Sequence, residues 1–125
     1  MKLAVVGSRT FTNYQKLIDY LSHYNSITEV VSGGARGVDS LVRRFAEEYD
    51  IPIKEFLPEY SKYGRIAPFV RNQQIVDYSD ELLAIRVKFS KGTTDTINRA
   101  HKANKPTKII DIWHKKATLK SMTKK

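Results

Sequence analysis

The sequence predicts one α/β domain, in which helices cover both faces of a doubly wound, mainly parallel sheet of five strands. Three observations carry this prediction. Short apolar runs rich in β-branched residues alternate with amphipathic stretches, which is typical of successive βα units. The apolar runs are almost continuous, as expected for parallel strands that are buried on both faces. A chain of 125 residues with 41% hydrophobic residues is also a common size for one core.

Five strands are predicted from the near-continuous apolar or β-branched runs. Each run is short, as strands of a small parallel sheet are. The predicted strands are residues 3–6, 28–31, 53–57, 82–85 and 108–112.

Four helices are predicted between these strands. The third, at residues 68–78, starts with Pro68, which suits a first helical turn. The fourth, at residues 94–104, stops before Pro106. The first and second helices carry apolar residues at helical spacing, namely Tyr14, Leu17, Ile18 and Leu21 in the first and Val38, Leu41, Val42, Phe45, Ala46 and Tyr49 in the second.

The composition excludes several classes of protein. The chain has no cysteine, which excludes disulfides, a thiolate nucleophile and Cys-ligated metals. Its three histidines are scattered without a partner at metal-ligand spacing, so we expect no metal site. No apolar run approaches the ~18 residues that span a bilayer. We therefore expect a cytoplasmic protein with no membrane partner.

The positive charge is concentrated near the C-terminus. The formal net charge is +9, and residues 105–125 hold seven Lys and one Asp. We expect a domain at residues 1–116 and a frayed basic tail at residues 117–125. Such a tail attracts nucleic acid by counterion release or serves only as a solvated segment.

Unusual residues follow four of the predicted strands. The carboxyl ends of parallel strands meet at one edge of the sheet, where helix N-termini present unpaired backbone N–H groups. We therefore expect these loops to form one ligand site. The loops are Gly7-Ser8-Arg9-Thr10-Phe11, Ser32-Gly33-Gly34-Ala35-Arg36-Gly37-Val38-Asp39, Pro58-Glu59-Tyr60-Ser61-Lys62-Tyr63-Gly64-Arg65 and Ser90-Lys91-Gly92-Thr93-Thr94-Asp95.

The second loop is predicted to contact a phosphate. Gly33, Gly34 and Gly37 let backbone amides approach an anion at the start of the following helix. Arg36 adds a permanent charge suited to bidentate phosphate contact. The pattern, which begins at Ser32, is a dinucleotide fingerprint that lacks its first glycine, and a tight strand-to-helix turn is the alternative interpretation.

Polar side chains beside these loops are further candidates. Ser8 and Arg9 offer a hydroxyl and a guanidinium at the end of the first strand. Phe69, Asn72 and Val76 fall on one apolar-facing stripe of the third helix, so the Asn72 amide needs partners. Those partners are either a neighbouring loop or the base or ribose of a ligand.

Aromatic side chains in the loops have two interpretations. Tyr60 and Tyr63 stack on a base, with Phe11 lining the same pocket, or all three pack the loops against the sheet.

No catalytic motif of a known hydrolase is present. Asp39 and Asp95 are the candidate general acids or bases, although each also suits the first turn of a helix as a cap.

Taken together, these motifs closely resemble the YspA-type branch of the SLOG superfamily. The superfamily includes the Lonely Guy phosphoribohydrolases and the Rossmann-like domain of the DNA-processing protein A. The resemblance spans residues 3–112. Its motifs are Val6-Gly7-Ser8-Arg9-Thr10-Phe11, Ser32-Gly33-Gly34-Ala35-Arg36-Gly37-Val38-Asp39, Tyr63-Gly64-Arg65-Ile66-Ala67, Arg71-Asn72 and Gly92-Thr93.

This resemblance implies a Rossmann-like sheet whose edge binds a nucleotide or an ADP-ribose-like molecule. The sequence identifies no cofactor beyond such a ligand. The glycine loop and Gly92-Thr93 would hold phosphates, neutralised by Arg9, Arg36 and Arg71, with Lys91 adding charge. Asn72 and Tyr63 would address the base or ribose. Related folds commonly pair through helices, which is compatible with a homo-oligomer.

Two alternatives to a binding module remain open. One is a nucleotide N-glycosidase or phosphoribohydrolase. The Lonely Guy enzymes carry a catalytic glutamate where this chain has Thr96, with Asp95 one residue earlier. The other is a protein that binds single-stranded nucleic acid through its basic charge.

Overall fold

The computed structural model describes residues 1–88 and 90–112 of the chain. The predicted tail at residues 117–125 lies outside the described residues. Strands and helices alternate in the order β1 (Lys2–Gly7), α1 (Tyr14–Leu21), β2 (Glu29–Ser32), α2 (Val38–Glu48), β3 (Ile53–Glu55), α3 (Tyr60–Tyr63), a 3-10 turn (Gly64–Ile66), α4 (Ala67–Tyr78), β4 (Glu81–Val87), α5 (Lys91–Lys102) and β5 (Thr107–Ile112).

The five strands form one sheet in the order β3-β2-β1-β4-β5, and all neighbours are parallel. This confirms the predicted α/β fold. The chain runs outward from β1 to β3 and then returns to β4 on the other side of β1. The carboxyl ends of β1 and β4 therefore form the switch point at which ligands bind in open sheets of this kind.

Each face of the sheet has its own core, because successive side chains of a strand point to opposite faces. In β1, Leu3 and Val5 pack with residues of α1 and α2. Ala4 and Val6 pack on the opposite face with residues of α4 and α5. The helices thus cover both faces, as the sequence predicts.

The predicted elements differ from the observed ones mainly at their ends. The third strand was expected to reach residue 57 but ends at Glu55, opposite Ser32, the last residue of β2. Without a partner strand, Leu57 is 58% exposed. The last helix begins at Lys91 rather than at residue 94, because the Thr94 N–H already donates to the Ser90 carbonyl at 3.0 Å. None of the helices in the described ranges has the length and apolar character needed to cross a bilayer.

Candidate functional site

A cleft of about 790 Å³ opens at the carboxyl edge of the sheet, over the switch point between β1 and β4. The loops after β1, β2 and β4 form its walls together with the start of α4. This volume lies within the range of pockets that hold small molecules. The lining residues are Val6, Gly7, Ser8, Arg9, Thr10, Gly33, Ala35, Asp39, Pro68, Phe69, Arg71, Asn72, Ile75, Val87, Lys88, Ser90, Lys91, Gly92, Thr93 and Thr96.

The loop after β1 is fixed to both of its neighbours. The buried Ser8 hydroxyl accepts a hydrogen bond from the Val87 N–H at 2.8 Å, which joins β1 to the end of β4. The Ser8 carbonyl accepts from the Val38 N–H at 3.3 Å, which joins it to the start of α2. The hydroxyl and the carbonyl of Ser8 therefore tie the loop after β1 to the main chain of β4 and of α2.

The loop after β2 satisfies its own backbone groups. The Gly34 N–H donates to the Ser32 hydroxyl at 3.2 Å, and the Ala35 N–H donates to the Asp39 carboxylate at 2.9 Å. Gly34 is one of the three glycines predicted to let backbone amides approach a phosphate. Because the protein's own oxygens accept from the Gly34 and Ala35 amides, these two N–H groups are not open to a ligand, although Gly33 and Ala35 line the cleft wall.

Asp39 is a buried carboxylate at the base of the cleft, with 7% of its surface exposed. Burial raises its pKa above the usual range. Hydrogen bonds from the backbone of Ala35 and Gly33 and the charge of Arg71 oppose this rise in pKa. Asp39 therefore organises the β2–α2 loop and faces the Arg71 guanidinium.

Arg71 connects α4 to the β2–α2 loop. Its Nη1 donates to the Gly33 carbonyl at 2.9 Å, and its Nε donates to Asn72 Oδ1 at 3.0 Å. Burial lowers the pKa of Arg71, and the charge of Asp39 counteracts that lowering. Among the described residues, Nη2 has no hydrogen-bond partner, so this nitrogen can donate to a ligand.

Asn72 is 6% exposed, which confirms that it lies on the buried stripe of α4. Its Nδ2 donates to Asp95 Oδ2 at 3.0 Å, and the same carboxylate oxygen accepts from Arg99 Nε at 2.7 Å. Arg71, Asn72, Asp95 and Arg99 thus form one chain of hydrogen bonds from α4 to α5. The amide that the sequence offered to a base or ribose already has a protein partner at each end.

The N-terminus of α5 opens into the cleft. The first helical hydrogen bond is Thr94 N–H to the Ser90 carbonyl, so the N–H groups of Lys91, Gly92 and Thr93 have no partner among the described residues. The first turn of α5 carries no acidic side chain. An anion here would meet free donors at the positive end of the helix dipole.

The charge of the cleft is strongly positive. Among the residues that the structure describes, Arg9, Arg71, Lys88 and Lys91 line it, against the single carboxylate of Asp39. Within the described part of the chain, Arg9, Lys88 and Lys91 form no ion pair. These cations are therefore available to an anionic ligand.

The structure brings ten of the sixteen predicted ligand-binding residues to the cleft wall. The other six are placed elsewhere. Phe11 is 5% exposed and packs into the core beneath α1 and α2, and Ser32 is buried at the end of β2. The remaining four, Gly34, Arg36, Gly37 and Tyr63, do not line the cleft.

The two predicted catalytic residues are separated. Asp39 lines the cleft, whereas Asp95 lines a neighbouring cleft and is paired with Arg99. Among the described residues, Asp39 is thus the only carboxylate in the wall of the first cleft, so that wall holds no pair of carboxylates.

Several lining residues were missed by the sequence. The helical stripe predicted that Phe69 packs inward, but its side chain is 47% exposed at the cleft. Phe69 lies in the first turn of α4, next to the loops that form the cleft. That position in the sequence could have indicated an exposed side chain. Lys88 lies directly after β4, so the rule that ligands bind at the carboxyl ends of parallel strands could have predicted it. Of the other lining residues, Thr10, Ala35 and Ser90 lie in the predicted loops but were not singled out, and the residues not predicted at the site are Val6, Pro68, Ile75, Val87 and Thr96.

Comparison of the chain with protein-family models, with curated proteins and with solved structures finds no match.

Proposed function

We propose that this protein binds a nucleotide or a nucleotide-derived, ADP-ribose-like molecule in the cleft over the β1–β4 switch point, as a sensor or sequestering module. The observation that carries the proposal is the charge of the cleft, where four cations face one buried carboxylate. A phosphate-bearing ligand satisfies such a site better than a neutral one. The resemblance of the motifs to the YspA-type branch of the SLOG superfamily favours the same ligand class.

Within this proposal, the phosphates bind at the N-terminus of α5. The N–H groups of Lys91, Gly92 and Thr93 are unpaired among the described residues, and Lys91 adds a charge. The amides of the β2–α2 loop are the weaker candidates, since Ser32 and Asp39 occupy them. Arg71 reaches the same ligand through Nη2, and Arg9, which lines the same cleft, adds a further charge.

A binding experiment with product analysis tests the proposal. The full chain is titrated calorimetrically with ADP, ADP-ribose, NAD, inorganic pyrophosphate and, as a phosphate-free control, adenosine. We expect micromolar or tighter binding of a phosphate-bearing compound and none of adenosine. A ligand at 100 times its Kd should add about 2.7 kcal/mol to stability in a thermal-unfolding assay. Absence of binding by every phosphate compound would contradict the proposal.

Two further measurements on the full chain test the two alternative functions. Release of a free base, detected by chromatography, would identify an N-glycosidase instead of a binding module. Binding to single-stranded DNA that weakens linearly with the logarithm of salt concentration, without nucleotide binding, would identify a nucleic-acid protein.

The Gly92→Ala variant tests whether the phosphate binds at the N-terminus of α5. A Cβ at this position meets no atom of the described residues within 4 Å, so the helix gains alanine's propensity without a clash against them. We expect G92A to stabilise the protein by about 0.5 kcal/mol in denaturant unfolding. Its new methyl group stands where the ligand approaches the backbone, so pyrophosphate affinity should fall about tenfold, roughly 1.4 kcal/mol. A stabilised variant with unchanged affinity would place the phosphate elsewhere.

A further inference from the structure

A second cleft, of about 720 Å³, lies beside the first at the carboxyl ends of β4 and β5. The two clefts share Phe69, Lys88 and Lys91, which form the ridge between them. A ligand that extends beyond its phosphates in the first cleft can therefore cross this ridge into the second.

The charges in the second cleft are already neutralised by protein partners. Arg86 Nε and Nη2 hold the Asp111 carboxylate at 2.7 and 3.1 Å, and Arg86 Nη1 donates to the Thr94 hydroxyl at 3.1 Å. Asp95 is paired with Arg99. Away from the ridge, the wall thus offers neither a free cation nor a free carboxylate within the described ranges, in contrast to the first cleft.

Two other side chains of the second cleft are available to a ligand. Phe69 is 47% exposed, although a phenylalanine is normally buried. Asn98 is exposed on α5, and its amide makes no hydrogen bond to another described residue. An aromatic face next to an unpaired amide can stack on a planar ring and bond to its edge.

We infer that the second cleft is a nucleoside subsite, in which Phe69 stacks on the base while the phosphates lie in the first cleft. This inference rests on the proposed function and names the part of the ligand that each cleft takes. It assigns recognition of the base to Phe69 and Asn98, in place of Asn72 and Tyr63. Asn72 has its amide engaged on both sides, and Tyr63 lines neither cleft.

The test compares Phe69→Ala with the wild-type protein by calorimetric titration. The probes are ADP, GDP, CDP and UDP, with inorganic pyrophosphate as the probe that lacks a base. Stacking on an aromatic side chain tolerates any base, so we expect F69A to weaken the best nucleoside diphosphate at least fivefold. Pyrophosphate affinity should stay unchanged. The control is Ile66→Ala, which removes another exposed apolar side chain that lines neither cleft and should change no affinity.

Phe69→Trp supplies a direct readout. Its added indole fluorescence should be quenched by a nucleoside diphosphate but not by pyrophosphate, with the wild-type protein as background. One contrary result is that the wild type binds pyrophosphate while F69A keeps its full nucleotide affinity, and another is that F69W shows no quenching by a bound nucleotide. Either of these results would overturn the nucleoside subsite and leave the phosphate site in place. If the wild type binds no phosphate compound, the proposed function fails and the inference with it.

Discussion

Gly37→Ala is expected to destabilise the protein by about 3 kcal/mol or more. Gly37 has φ +67° and ψ −123°, a conformation that costs an L-residue of order 1–3 kcal/mol. A Cβ at this position would also overlap the Ser8 carbonyl oxygen and lie 2.6 Å from Arg9 Cα. Both neighbours are main chain, so they cannot rotate away, and overpacking adds typically about 1–3 kcal/mol. Denaturant unfolding measures the loss.

Gly64→Ala is the matched control for this variant. Gly64 has φ +60° and ψ −135°, close to the conformation of Gly37, but a Cβ there meets no atom within 4 Å in the described part of the chain. G64A should therefore lose only the stability that corresponds to the unfavourable backbone conformation. The difference between the two variants isolates the contact of the β2–α2 loop with the β1–α1 loop. Equal losses in the two variants would show that the two loops can move apart at no cost and that their close approach is not tightly fixed.

The core elements of the fold are predictable because local patterns encode them. Leu17 and Leu21 of α1 and the continuous run from Leu3 to Val6 lie in the cores where their periodicity placed them. The short helix Tyr60–Tyr63 was not predicted, since it has no buried residue and hence no apolar pattern. Strand β3 ends early because its partner strand β2 ends, and the residues of β3 do not by themselves predict that end.

The position of the candidate site was predictable, whereas several side-chain roles were not. Because the direction of a parallel strand fixes where the following loop lies, Ser8 and Lys91 were expected at one edge of the sheet, and both line the first cleft. Phe11 turns into the core, and Asn72 donates to Asp95 of the neighbouring helix, through contacts that form only once the helices pack. Loop composition alone carries no information about such contacts.

Arg71→Met is expected to impair both stability and binding. The side chain keeps an unbranched apolar stem but loses the donors that reach the Gly33 carbonyl and the Asn72 amide oxygen, and the buried Asp39 loses the cation it faces. Unpaired buried polar groups and charges are costly, so we expect a loss of about 2–4 kcal/mol in denaturant unfolding. Affinity for pyrophosphate should fall about 100-fold, since a charge-assisted contact and the shape of the loop are lost together.

The pH dependence of this loss separates the charge effect from simple packing. Burial already raises the pKa of Asp39, and removing Arg71 should raise it further. A carboxyl group whose pKa is higher in the folded than in the unfolded protein destabilises the fold when ionised, and protonation relieves that destabilisation. The gap between R71M and wild type should therefore narrow as the pH falls from 7 towards about 4, the ordinary aspartate value. The control is Arg65→Met, an exposed arginine without an ion pair to a described residue, which should stay within about 0.5 kcal/mol of wild type at every pH. A constant gap for R71M would show that Asp39 does not need the guanidinium, and the cleft would then owe its shape to packing alone.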